Sequence, residues 1–313
     1  MNQRTRVAVL TVMVVAASCN GDSGSGDGST PTSAVTVAAT AATSAAVATT
    51  PLVTTTAAVA TTPRPPAPTT TVTTAPALTT VARPDWLGQR PLPLRPDGYG
   101  EVLPTPPELV DRRLPTLDVL APPTSDTFAS TVSDVSAEVL ARSTWHAECP
   151  VAASDLRYVT LSFWGFDDRP HMGEMLVNAD VADAVVEVFR VLFDARFPIE
   201  EMRVVRADEL DIAPTGDGNN TSAFVCRNAV LSGSWSQHAY GRAIDVNPFH
   251  NPYVRDDLVL PELASAYADR SDVRPGMVLA GDVVVQAFAS IGWGWGGDFN
   301  TLRDDMHFSA NGH

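Results

Sequence analysis

The spacing of apolar positions changes along the chain, and the changes mark its elements. Leu156-Arg157-Tyr158-Val159-Thr160-Leu161-Ser162-Phe163-Trp164 is β-branched and aromatic with partial alternation, which predicts a strand. Gly165 to Pro170 reads as a turn, and Glu174-Met175-Leu176-Val177 as a second strand. Val181, Val185, Val188, Phe189, Leu192 and Phe193 then recur three and four residues apart. That spacing predicts an amphipathic helix, with Asn178 or Asp180 placed to cap it and Pro198 to end it. Glu201 to Val205 predicts another strand, Asp208 to Asn220 a long polar loop, Ala243 to Val246 a short strand and Val283 to Ile291 a helix. Upstream, Thr127 to Arg142 predicts a short helix, because Val132, Val135 and Val139 lie near helical spacing. Residues 85–125 have no clean period, and their prolines forbid long helices and central strands. They read as an extended arm wrapping the domain, with Leu109, Val110, Leu114, Leu117, Val119 and Leu120 placed to pack on it.

The start of the chain has a different pattern. Arg4 and Arg6 precede a run, Val7 to Ala17, that is apolar apart from Thr11 and too short for a permanent membrane span. Ala16-Ala17-Ser18-Cys19 resembles a bacterial lipobox, which makes residues 1–18 a signal peptide and Cys19 the lipidated first residue of the mature chain. The other reading is plain secretory cleavage beside an incidental cysteine. Between Asp27 and Arg83 the only charge is Arg64, and the segment is mostly Thr, Ala, Pro and Val. No period there buries a face, so residues 19–84 read as a disordered stalk spanning about 40–50 Å as a flexible coil. Residues 85–144 hold the arm and short helix, and residues 145–313 the main domain. The expected location is extracytoplasmic, held to the membrane by the lipid and facing the cell wall.

Charge and cysteine content narrow the partners. The formal charge is −15 and lies almost entirely in the folded part. An acidic domain lacks the basic face that phosphate binding needs, which excludes nucleic acid as the partner. Of the three cysteines, lipidation of Cys19 leaves Cys149 and Cys226. Export favours a disulfide between them over two buried thiols.

The stretch Ser236-Gln237-His238-Ala239-Tyr240-Gly241-Arg242-Ala243-Ile244-Asp245 carries the chemistry. It offers an imidazole and a carboxylate seven residues apart, and Asp304-Asp305-Met306-His307-Phe308 adds a second imidazole. Asp245 lies among apolar neighbours, where a carboxylate needs a partner. His238, Asp245 and His307 make a three-ligand site for a divalent metal, most naturally Zn2+, with a fourth position for water. Ser236 lacks the setting of a nucleophile and reads as a hydroxyl orienting a ligand. His146, His171 and His250 are not expected to bind the metal, Trp293 and Trp295 are expected to pack, and Tyr240 is left open between cleft and surface.

Ser236, His238, Gly241, Ala243 and Asp245 match the Ser-x-His-x-x-Gly-x-Ala-x-Asp pattern of the D-alanyl-D-alanine carboxypeptidase family of zinc metallopeptidases. Asn247-Pro248, Asn251-Pro252-Tyr253, Gly292 to Asp298, Asp304 to Phe308 and Asn220 to Arg227 resemble its vancomycin-resistance-carboxypeptidase-like and phage-endolysin branch. The resemblance runs from about Trp145 to Phe308. It implies an α+β fold, with a small antiparallel sheet carrying the zinc and helices flanking it. It implies cleavage of peptidoglycan stem peptides by metal-activated water, with removal of terminal D-alanine as the first expectation. An endopeptidase cutting within the stem and a non-catalytic, zinc-stabilised wall-binding module are the alternatives. The family's general base lies three residues before the last His, where many members carry glutamate and this chain has Asp304. Arg227 is the candidate cation for substrate carboxylate or oxyanion, and Arg203 the second choice.

Overall fold

The structure is a computed structural model and describes residues 79–312. Cys19, the targeting segment and the stalk up to residue 78 lie outside them, as does His313. The elements in chain order are α1 (Pro107–Val110), β1 (Ser130–Asp134), α2 (Ala137–Arg142), β2 (Leu156–Trp164), β3 (Pro170–Asn178) and α3 (Ala182–Asp194). They continue with β4 (Glu201–Met202), β5 (Asn220–Thr221), β6 (Ala243–Asp245), β7 (Tyr253–Arg255), β8 (Leu258–Leu260), α4 (Val283–Ser290), β9 (Gly294–Trp295), β10 (Arg303–Asp304) and β11 (His307–Ser309). The class is α+β. The antiparallel sheets have strand orders β1-β2-β3, β10-β7-β8 and β6-β11-β9, and β4 pairs with β5 in parallel. No described helix is long and apolar enough to cross a membrane.

The main core forms where the apolar face of α3 meets β2 and β3. Val185, Val188, Phe189 and Leu192 are buried there against Val159, Leu161, Met175 and Val177. α4 closes the same core on the other side, with Phe288 stacked on Phe308 of β11 at 4.0 Å between ring centroids. The period-three-and-four spacing thus does what it predicts, since it puts one stripe of a helix inside.

Three local expectations are corrected. Thr127 to Arg142 is not one helix but β1 followed by α2. Its β-branched start adds to the free edge of β2, with Thr131 and Thr160 hydroxyls 2.7 Å apart. Ser136 then starts the helix by accepting the Val139 N–H. Glu201 to Val205 is a strand for two residues only, because the Asn220 side chain takes over from there. Its amide accepts from Arg203 N and donates to Arg203 O, both at 2.9 Å. Neither Asn178 nor Asp180 caps α3, whose first flanking residue is Val181 with no side-chain cap. Asn178 is used elsewhere: its side chain donates to Tyr240 O at 3.0 Å and its N–H to Gly241 O at 2.8 Å.

The arm is held by more than apolar contacts. Leu109 and Leu114 are fully buried, but Val110, Leu117 and Val119 are exposed, contrary to the packing expected of them. The anchor is Arg112, only 2% exposed, whose guanidinium is bidentate to Glu200 at 2.7 Å for both bonds. Its third nitrogen donates to Asp217 O at 2.8 Å, and the group lies over the Phe249 ring. The arm also supplies Asp118, which pairs with His171 at 2.8 Å while Asp167 takes the other ring nitrogen at 2.9 Å. His171 is therefore structural, as expected.

His250 belongs to the same buried network. Its Nε2 donates to Arg112 O at 2.8 Å, so that nitrogen carries the proton. Asn219 must give an N–H to Glu200 and its oxygen to Phe249 N, so its amide nitrogen also faces His250 Nδ1, at 3.1 Å. The neutral ring is satisfied on both sides, and burial pushes its pKa down to about 4, with Glu200 only partly opposing. The unfolded chain therefore binds more protons than the folded one between about pH 4 and 6.5, and stability falls as pH falls through that window. From pH 6.5 to 5 this amounts to about 1.5 kcal/mol. His250→Gln is expected to flatten the pH dependence of urea midpoints over that interval. An unchanged slope in the variant would refute the assignment.

Cys149 and Cys226 are joined, with S–S 2.03 Å and Cα atoms 5.8 Å apart. The bridge ties the segment after Trp145 to residues 222–228, which pass beside the site.

Candidate active site

The ten-residue stretch folds as a tight turn running into a strand. Gln237–Tyr240 is a single 3₁₀ turn. Ser236 precedes it and accepts the His238 N–H at 3.3 Å, so its hydroxyl orders the backbone that carries the imidazole. Gly241 ends the turn with φ +67°, in the left-handed region that favours glycine. A side chain there would also collide with β3, since a Cβ would lie 2.7 Å from Asn178 N.

Alternation then separates site from core. Along β6, Ala243 and Ile244 are fully buried and Asp245 turns to the cleft. Along β11, Phe308 enters the core and His307 points the other way, into the same cleft. The antiparallel register sets His307 directly opposite Asp245. β6 is held on its other side by Ser222, with N–H to O bonds of 3.1 and 2.9 Å in the two directions.

The three expected ligand residues meet. His238 Nε2 lies 3.2 Å from His307 Nδ1 and 3.2 Å from Asp245 Oδ1, and His307 Nδ1 lies 3.1 Å from Asp245 Oδ1. His238 Nδ1 donates to Ala223 O at 2.6 Å; a carbonyl only accepts, so Nε2 presents its lone pair to the cluster. Burial opposes ionisation of Asp245, but His238 and His307 outweigh it and hold the carboxyl well below its ordinary range. Tetrahedral zinc with bonds of about 2.0–2.1 Å needs donor atoms about 3.3 Å apart. The observed edges, and the set of two imidazoles and one carboxylate, fit that ion.

The cluster forms part of the wall of a cleft of about 360 Å³, shared with Arg227, Trp235, Tyr253, Phe299, Asp304 and Met306 among others. Asp304 stands beside the three donors without joining them. Burial pushes its carboxyl up to about 7, with His307 and Arg227 pulling down and Asp245 and Asp305 pushing up. Gly296 makes room for it, since a Cβ there would lie 2.8 Å from Asp304 Cβ. Asp305 is turned away and committed to Arg303 at 2.8 Å and Arg270 at 3.4 Å, which leaves Asp304 the only one of the two in the cleft.

Arg227 lines the cleft, its guanidinium touching Asn228 O at 3.1 Å. Arg203 does not. It lies in a separate cavity of about 910 Å³ and is paired with Glu201 at 2.5 Å and Glu209 at 2.6 Å. Trp293 stacks on Phe288, and Trp295 donates to Asp305 O at 2.9 Å, so both pack as expected. Tyr240 is half-buried and does not line the cleft. Sequence reasoning missed the carbonyl of Ala223, which has no side-chain signal, and the cleft walls formed by Trp235 and Phe299. Tyr253 was visible only as part of an Asn-Pro-Tyr motif.

Residues 231–310 match the model of the family described as D-alanyl-D-alanine carboxypeptidase. No curated protein and no solved structure matches the chain. The matched segment contains His238, Asp245, Asp304 and His307, with Arg227 just before it. That segment is similar to the D-alanyl-D-alanine carboxypeptidase family, which supports reading the site as that of a peptidase.

Proposed function

We propose that this is an exported, lipid-anchored zinc peptidase that removes terminal D-alanine from peptidoglycan stem peptides ending in D-alanyl-D-alanine. The observation that carries the reading is the triangle of His238, Asp245 and His307 donor atoms, with edges of 3.1–3.2 Å, in a cleft that also holds Asp304. Zinc held by those atoms supplies Lewis-acid polarisation of the peptide carbonyl and a more acidic water. Asp304 takes a proton from the attacking water and delivers it to the nitrogen of the leaving D-alanine as the C–N bond breaks. Arg227 faces the oxygen on which negative charge develops, where a fixed cation lowers the barrier most. Ala223 and Ser236 keep His238 in one orientation and one tautomer. The Cys19 anchor and the stalk keep the domain within reach of the wall.

The test is mass spectrometry of a D-alanyl-D-alanine-terminated pentapeptide after incubation with the purified protein. Release of free D-alanine, abolished by chelation and restored by zinc, is the expected result. Internal fragments would replace the carboxypeptidase with an endopeptidase. Binding without turnover would make the domain a wall-binding module.

A further inference from the structure

Two polar atoms in the cleft are buried without a partner in good hydrogen-bond geometry, Tyr253 Oη and Asp304 Oδ1; the Arg255 side chain approaches the phenol oxygen as a donor, which leaves the phenol's own O–H without an acceptor. The other such atoms, on Arg83, Thr116 and Trp164, do not line the cleft. Tyr253 and Asp304 are directly opposite each other where β7 pairs with β10. Residues so placed lie side by side on one face of the sheet. Buried polar groups are almost always satisfied, and an orphan of this kind points to a partner that arrives from outside. The Tyr253 ring is fixed by Leu258 and Met306, so the hydroxyl is held in place rather than free to turn to solvent. Tyr253 is only 5% exposed. Burial also raises the phenol's pKa, against the pull of Arg255 two residues along β7, which keeps it a donor.

In its ionised form the Asp304 carboxylate accepts and the phenol donates, and side by side they match a peptide group, which has one N–H and one C=O. We infer that Tyr253 is a substrate-binding residue whose hydroxyl donates to an oxygen of the peptide lying across Asp304. The inference deepens the proposed function and rests on its assignment of the cleft to a peptide.

Tyr253→Phe keeps the ring and removes only the hydroxyl. Its zinc content is expected to equal that of the wild type, and its melting temperature to change by at most a few degrees, because only the contact from the Arg255 side chain is lost. Its kcat/KM for the pentapeptide is expected to fall by about tenfold or more, the worth of one hydrogen bond to substrate. Calorimetry in an Asp304→Ala background, where turnover does not interfere, is expected to show weaker pentapeptide binding when Tyr253→Phe is added. Unchanged turnover and binding in Tyr253→Phe would overturn the inference alone. A wild-type protein that neither binds nor cleaves the peptide would overturn the assignment of the cleft, and the inference with it.

Discussion

Asp304→Ala is expected to lower kcat by about 10³-fold while leaving the zinc content of the protein unchanged, within the usual contribution of a positioned proton carrier. Asp304 shares the cleft with the three donor atoms but is not one of them, so its removal should separate proton transfer from metal binding. Asp305→Ala is the control. Asp305 is 1% exposed and committed to Arg303 and Arg270, so its loss strips a buried pairing and lowers stability, with the chemistry of folded molecules largely kept. The measurements are metal content by mass spectrometry, kcat on the pentapeptide and thermal midpoint for each variant. Near-normal turnover in Asp304→Ala, or loss of zinc from it, would remove the residue from the mechanism. Asn at position 304 should behave like Ala, because the amide keeps the shape but cannot take the proton.

The largest effect on stability is expected from Arg112→Met. Arg112 and Glu200 are both almost inaccessible, and the pair is a bidentate fork in which every guanidinium nitrogen is used. Removing the cation leaves a buried carboxylate supported mainly by Asn219 and by Arg83 at 3.6 Å. Breaking such a pair from one side costs about 3–5 kcal/mol, a large part of the stability of a typical domain. Pairing the change with Glu200→Met should recover much of that, because the unpartnered charge is gone and two apolar side chains fill the space. A double variant no more stable than Arg112→Met would show that the arm depends on something other than the ion pair. Glu200's carboxyl lies below its ordinary range because Arg112 overcomes the effect of burial. In the single variant burial acts on Glu200 without Arg112 to oppose it, which raises its carboxyl, so the stability deficit relative to the wild type should shrink as pH falls and Glu200 becomes neutral.

What was legible in the sequence is local in origin. The α3 stripe, the β2 run and the α4 segment each repeat their apolar residues at the period of the element they form, and burial of one face follows from that alone. The Ser-x-His-x-x-Gly-x-Ala-x-Asp stretch was readable for a similar reason. Ser236 caps, Gly241 takes φ +67° and Asp245 alternates with Ile244, all within ten residues. Pairing of Cys149 with Cys226 was expected on the reading of an exported chain whose third cysteine is lipidated, and the two are joined.

Tertiary structure alone decided the rest. The donor atoms of His238 and His307 are 69 residues apart in sequence and meet because the β6–β11 register sets His307 against Asp245. No local period encodes a register. The resemblance had already put Asp304 and Arg227 first; tertiary structure adds that Asp305 and Arg203 are held in ion pairs outside the cleft. Residues 127–142 looked helical by spacing, but the open edge of β2 captured their first half as a strand. Arg112, in a proline-rich stretch without a period, became the anchor of the arm because Glu200 was buried beneath it and required a charge. Short-range sterics and periodicity are written residue by residue, whereas partners for buried charges are set only when distant segments pack.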